Sequence, residues 1–319
     1  MVKSLFAYLL LITLLLVSAE SLGAAEKRII AFCGAASKPA MEEAADVFKK
    51  QTGIQIDLQF GGSGTMLSQM KLARRGDLYI PGSPDYMIKA EKERLIDSKT
   101  IKIIAYLIPA IGVQPGNPKN IKTLADLAKP GVKVGIGNPE AVCVGLYAIE
   151  ILAQQKLLEN VQKNIVTHAP SCAATESLIV MKKVDAVLGW DVFSKWNPGK
   201  IETVFLKSNE IPRIAYIPAA ISTYSQDKEN AQRFIDFLVS QEGQKIFSKW
   251  GYIIKEDEAR KFAPKAKIGG NLSSLHSERE GEVPQALLGE GATCLRADTH
   301  RQTQAPVIDS CKLQTYVMR

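Results

Sequence analysis

Two serines stand where a turn gives way to a helical pattern: Ser37 in GAASKPAMEEAADVF and Ser63 in FGGSGTMLSQM. A hydroxyl at such a place can accept from the first N–H groups of a helix, which have no partner inside it, and can still donate its own proton. Two helix mouths facing one cleft would hold a small anion without any charged side chain. Capping alone, worth ~1 kcal/mol per serine, is the plain alternative, and the two roles are compatible. Gly61, Gly62 and Gly64 beside Ser63 serve either an ordinary turn or a close backbone approach to an anion. Thr65 and Ser83 read as turn or capping residues.

Other chemistries find less support. His168 is the one histidine between residues 26 and 270. A serine or cysteine nucleophile needs a positioned base, and no Gly-x-Ser-x-Gly elbow is present. Glu140, Glu176, Asp185 and Asp191 read as surface or capping carboxylates rather than an acid–base pair. The cysteines Cys33, Cys143, Cys172, Cys294 and Cys311 fit no zinc spacing. Cys143 and Cys172 fall in loops expected near each other, and either a bridge between them or buried free thiols fits. A binder without cofactor or resident metal is expected, not an enzyme.

The elements that must position these residues alternate. A strand at 28–33 precedes a helix at 38–51, whose Met41, Ala44, Ala45 and Phe48 share a face, with Pro39 in its first turn and Gly53 at its end. Ile54, Ile56, Leu58 and Phe60 alternate with polar residues, as in a strand with one buried face. Ser63 then stands just before a second helix. GDLYI reads as a strand, 85–94 as a helix, and IKIIAYLIPAIGVQPG as a long apolar strand pair. Further expectations are a short helix at 121–128, the strand VKVGIG and a helix at about 144–157. The strand NIVTHA, a helix from Ser171 to about Lys182 and the strands VDAVLGW, IETVFL and RIAYIPAAIS follow. Helices at 227–240 and 242–250 end at Gly251. Strands alternating with helices predict an α/β fold with mostly parallel sheets. Ligands of such sheets bind beyond the carboxyl ends of the strands, where the loops holding Ser37, Ser63, Cys143 and Cys172 fall.

The first 25 residues resemble a secretory signal: Lys3, an apolar run from Leu5 to Val17, then small residues, with cleavage expected near 19–25. The net charge of +7 is interspersed, and without a basic stripe interleaved with aromatics no nucleic-acid partner is expected. Residues 270–319, rich in Ser, Gln, Thr, Gly and Arg, read as an irregular tail.

AASKPAMEEAADVFKKQTGIQIDLQFGGSGTMLSQM, GNPEAVCVGLYAIEIL and AQRFIDFLVSQEGQKIFSKWGY, in that order, resemble the periplasmic molybdate- and tungstate-binding proteins of ABC importers over about residues 28–270. The resemblance implies a type II periplasmic-binding-protein fold, in which each of two α/β lobes is a mixed, mostly parallel sheet flanked by helices. The first lobe would comprise 26–107 and 218–269, the second 108–217. It implies a periplasmic monomer that closes on molybdate or tungstate and delivers it to a membrane permease. Ser37 and Ser63 match the family's first-lobe serines, Val144 a backbone N–H donor at the second-lobe helix, and Ser171 falls near another. Where the family often places a tyrosine hydroxyl, this chain has Gly189, Trp190 and Asp191. Trp190 offers an indole N–H, whereas an ionised Asp191 would repel an anion unless turned away. Sulfate, thiosulfate or a small organic anion is the alternative ligand.

Overall fold

The structure is a computed structural model that describes residues 27–270. The leader, the tail beyond Gly270, and Cys294 and Cys311 lie outside the described residues. The chain begins with β1 (Arg28–Gly34), α1 (Lys38–Thr52), β2 (Gln55–Gly61), α2 (Ser63–Ala73), β3 (Leu78–Ile80) and α3 (Pro84–Lys92). It continues through β4 (Lys102–Leu107), β5 (Pro109–Val113), β6 (Val134–Gly137), α4 (Cys143–Gln154), α5 (Leu158–Gln162), β7 (Ile165–Ala169), α6 (Cys172–Val180), β8 (Ala186–Trp190), α7 (Phe193–Trp196) and β9 (Glu202–Phe205). It ends with β10 (Arg213–Ile221), α8 (Lys228–Val239), α9 (Gln241–Lys249), α10 (Glu256–Arg260) and β11 (Lys267–Ile268).

Helix α1 shows why the local pattern works. Met41, Ala44, Ala45 and Phe48 are buried on one face, Pro39 occupies its first turn, and Gly53 closes it at φ +71° with its N–H on the Lys49 carbonyl. The alternating strand β2 is an edge strand paired only with β1, so Ile56 is buried while Leu58 and Phe60 are half-buried. The expected helix at 121–128 is a single 3₁₀ stretch, Leu124–Ala128.

The strands form two mixed α/β sheets. The first runs β11-β10-β3-β1-β2, with β4 also on β10. There β1 is parallel to β2 and β3, while β10 is antiparallel to β3 and β4 and parallel to β11. The second runs β7-β6-β8-β5-β9, with β6 parallel to its neighbours and β5 antiparallel to both of its own. The apolar stretch at 101–113 is not a strand pair. Strand β4 pairs with β10 in the first sheet and β5 with β8 and β9 in the second, so the chain crosses between sheets at Ile108. The crossing is pinned from both sides: Ile108 N–H donates to Asp191 Oδ1 (3.1 Å), and Asp191 N–H donates to the Ile108 carbonyl (2.9 Å).

The larger hydrophobic core surrounds the first sheet, and Val142, Cys143, Val144, Cys172 and Trp190 from the second-sheet side pack into it. A separate core of Ile111, Val134, Ile136, Ile151 and Leu188 with neighbours fills the second sheet. The junction between the sheets is therefore packed where the carboxyl ends of β1, β6, β7 and β8 meet.

Candidate functional site

Ser37 and Ser63 come together around Gly34. Both serines are buried, and Ser37 Oγ donates to the Gly34 carbonyl oxygen at 3.3 Å. A Cβ on Gly34 would stand 2.6 Å from Ser63 Oγ, which itself accepts from Gly82 N–H at 3.0 Å. Neither serine caps a helix by its side chain, contrary to the simple capping expectation. Ser37 occupies the cap position of α1 without a capping hydrogen bond, and Ser63 lies inside α2, whose cap is Gly62. Two buried phenols fix the backbone beside them: Tyr252 donates to the Ala36 carbonyl (2.6 Å) and Tyr79 to the Ser63 carbonyl (2.9 Å).

The glycines serve close approach, but to protein backbone. A Cβ on Gly62 would lie 2.7 Å from the Ala141 carbonyl oxygen and 2.9 Å from that of Pro170. The Gly64 N–H donates across the junction to Ala141 O (2.9 Å), and Tyr86 Oη donates to Glu140 O (3.2 Å). The loops before α4 and α6 thus rest on the mouth of α2, which only residues without a side chain permit.

Those loops carry Val144, Ser171 and Trp190. Val144 is the second residue of α4 and fully buried. Ser171 caps α6 by accepting from Ala174 N–H at 3.1 Å. Trp190 ends β8, buried edge-on against Tyr147 with ring centroids 5.1 Å apart. Asp191 is turned away, its carboxylate on the Ile108 N–H, and burial raises its pKa to about 7 against the opposing backbone hydrogen bonds. Ser83 is buried before α3, and its Oγ has no hydrogen-bond partner among the described residues.

At the centre are two thiols. Cys143 and Cys172 are the first residues of α4 and α6, with sulfurs 3.4 Å apart and not bonded as a disulfide. A Cβ on Gly82 would stand 2.8 Å from Cys143 Sγ, so the pair abuts the serine cluster. Burial and the contact with Cys172 push the Cys143 thiol up. Burial also opposes ionisation of Cys172, but the nearby Cys143 thiol, the Trp190 indole and the N–H groups of Val144 and Cys172 outweigh it and lower its pKa. The indole approaches that sulfur without the alignment of a full hydrogen bond. The mouths of α4 and α6 therefore converge on the pair of sulfurs.

One contributor was missed. Arg213 opens β10, buried at 1% exposure. Its Nη1 donates to both Asp85 carboxylate oxygens (2.9 and 3.0 Å) and to Tyr147 Oη (3.1 Å), and its Nε to Glu150 (2.7 Å). Its guanidinium stacks 4.0 Å from the Tyr147 ring centroid. The two carboxylates absorb its charge, so it ties α3 to α4 rather than offering a free cation. A charged residue heading the otherwise apolar RIAYIPAAI was the available signal.

Among the described residues, no cluster of three His, Cys, Asp or Glu side chains has the arrangement of a metal site. Residues 29–253 match the family of bacterial extracellular solute-binding proteins. The chain belongs to that family. The molybdate-binding protein of Escherichia coli is 24% identical over 236 residues, 72% of this chain and 90% of that one. The Azotobacter vinelandii periplasmic molybdate-binding protein superposes with TM-score 0.63 at 19% identity, over 72% of this solute-binding protein and all of that chain. The Mycobacterium tuberculosis sulfate-binding protein gives TM-score 0.67 at 16% identity over 80% of this chain and all of that one. The two-sheet α/β fold is thus that of periplasmic binding proteins, and the relatives are binding proteins of transporters rather than enzymes.

Proposed function

We propose that this solute-binding protein captures a tetrahedral oxyanion, molybdate or tungstate, between two lobes built on its two sheets, and delivers it to the permease of an ABC transporter. The observation that carries this reading is the convergence of neutral donors on one buried junction. The Ser37 and Ser63 hydroxyls come from one side, and the Val144 N–H, the Ser171-capped mouth of α6 and the Trp190 indole from the other. Hydroxyls and backbone N–H groups replace the water shell of a dianion without a fixed counter-charge, which favours both capture and release. The metal enters only within the oxyanion, as cargo.

The lobes follow the two sheets, so the expected boundary at 217/218, which falls inside β10, moves to the segment before Arg213, and the lobes move about the crossings at Ile108 and at the start of β10. The protein works as a periplasmic monomer after loss of residues 1–25. Isothermal titration with molybdate, tungstate, sulfate and thiosulfate tests the assignment. Heat on molybdate or tungstate alone supports it. Preference for sulfate assigns the site to the chemistry named by the sulfate-binding neighbour. Silence with all four anions defeats the reading.

A further inference from the structure

We infer that Cys143 and Cys172 are a modification site, a thiol pair that closes to an intramolecular disulfide and thereby sets how well the second helix mouth accepts an oxyanion. The second half of this inference rests on the oxyanion reading; the first does not.

Geometry brings the pair together. Residues 29 apart in sequence place their sulfurs 3.4 Å apart because each opens a helix, α4 and α6, at the same end of the second sheet. The two are not equivalent. Cys143 faces the Ser63–Gly82 cluster, while Cys172 opens α6 directly after its Ser171 cap, where the surrounding donors lower its pKa. That environment prepares Cys172 as the attacking sulfur and Cys143 as the resolving one. Cys33, buried in β1 with only a 3.7 Å contact to the Ala31 carbonyl, has no such partner, and burial alone raises its pKa.

The chemistry needs a disulfide-carrying oxidant. With the lobes apart, the Cys172 thiolate attacks one sulfur of that oxidant, and the oxidant's S–S bond breaks to release one thiolate, which takes up the proton Cys172 has lost. The Cys143 sulfur then attacks Cys172 Sγ in the mixed disulfide and releases the second thiolate, which takes up the proton Cys143 loses. Two cysteine thiols are oxidised and one oxidant disulfide is reduced to two thiols.

Closure changes the site. In the dithiol form the two sulfurs hydrogen-bond to each other at the mouths of α4 and α6, and any thiolate formed there repels a dianion in a place with little water. In the disulfide neither sulfur can ionise, and that repulsion is removed. The oxidised protein therefore binds the oxyanion at least about tenfold more tightly, roughly 1.4 kcal/mol.

The test uses the full chain, incubated with oxidised glutathione or with dithiothreitol, alkylated after denaturation and mapped by mass spectrometry. A Cys143–Cys172 linked peptide on oxidation, with Cys33 alkylated under both conditions, is the expected result. Cys143 and Cys172 remaining alkylatable, or pairing elsewhere, overturns the inference. Titration of both forms with molybdate then reads the coupling. Tighter binding by the oxidised form, with the difference abolished in Cys172→Ala, supports it, and equal affinity overturns it. If neither form binds molybdate, tungstate or sulfate, the oxyanion reading falls together with the coupling. The peptide map still decides the disulfide independently.

Discussion

At the scale of single residues, the two serines differ in what they support. Ser63 Oγ is the acceptor for a buried Gly82 N–H, whereas Ser37 Oγ donates to a carbonyl. Ser63→Ala leaves a buried donor unpaired and costs ~1–3 kcal/mol. Ser37→Ala leaves a carbonyl with a second lone pair to spare and costs about 1 kcal/mol or less. On the proposed oxyanion reading both variants should weaken binding by an order of magnitude or more, because each removes a neutral donor. Denaturant midpoints and titration calorimetry of the two variants separate the effects. Equal stability losses, or unchanged binding in both, would contradict this assignment. Asp191 gives a pH signature. Burial raises its folded-state pKa to about 7, above the ~3.9 of an unfolded aspartate. Its contribution to stability is fully present below pH ~4 and is lost as the pH rises through about 7. Asp191→Asn keeps an acceptor for the Ile108 N–H, and should flatten that part of the stability profile between pH 4 and 8.

At the scale of elements, the contact between the mouth of α2 and the loops before α4 and α6 decides whether the two sheets can meet. Gly62→Ala places a methyl 2.7 and 2.9 Å from two backbone oxygens, which cannot swing aside as a side-chain tip can. The variant should hold the junction ajar, lower oxyanion affinity about tenfold or more, and enlarge the radius of gyration seen by X-ray scattering in the presence of ligand. Both sheets stay intact, so circular dichroism should not change. Much at this scale was legible. The buried face of α1, the Gly53 stop and the alternation of β2 follow from local sterics and periodicity, and the structure has them. The run at 101–113 was not legible, because β4 and β5 are equally apolar and each is buried. Nothing local says that consecutive strands go to different sheets.

At the scale of the whole molecule, Arg213 links α3, α4 and the start of β10 through Asp85, Glu150 and Tyr147. Arg213→Met would leave two buried carboxylates without their cation. Destabilisation of about 3–5 kcal/mol is expected from breaking such a network. A Tm shift of only a degree or two in thermal unfolding would show that the network is slack. Ligand at a thousand times its Kd should add about 4 kcal/mol to the wild-type protein.

The sequence by itself determined the order and type of most elements, the family, and the two hydroxyl-bearing turns, because helix starts, stops and apolar periods are written in residues a few positions apart. Only the tertiary structure decided that Ser37 and Ser63 meet at Gly34, that Asp191 faces a crossover rather than the cleft, and that Arg213 is a buried tie. It also gave Cys143 and Cys172, whose loops the sequence already expected near each other, as unbridged thiols. Apart from the local Ser37–Gly34 bond, those contacts join residues tens to more than a hundred positions apart, and their partners are chosen by how the two sheets pack, which no local pattern encodes.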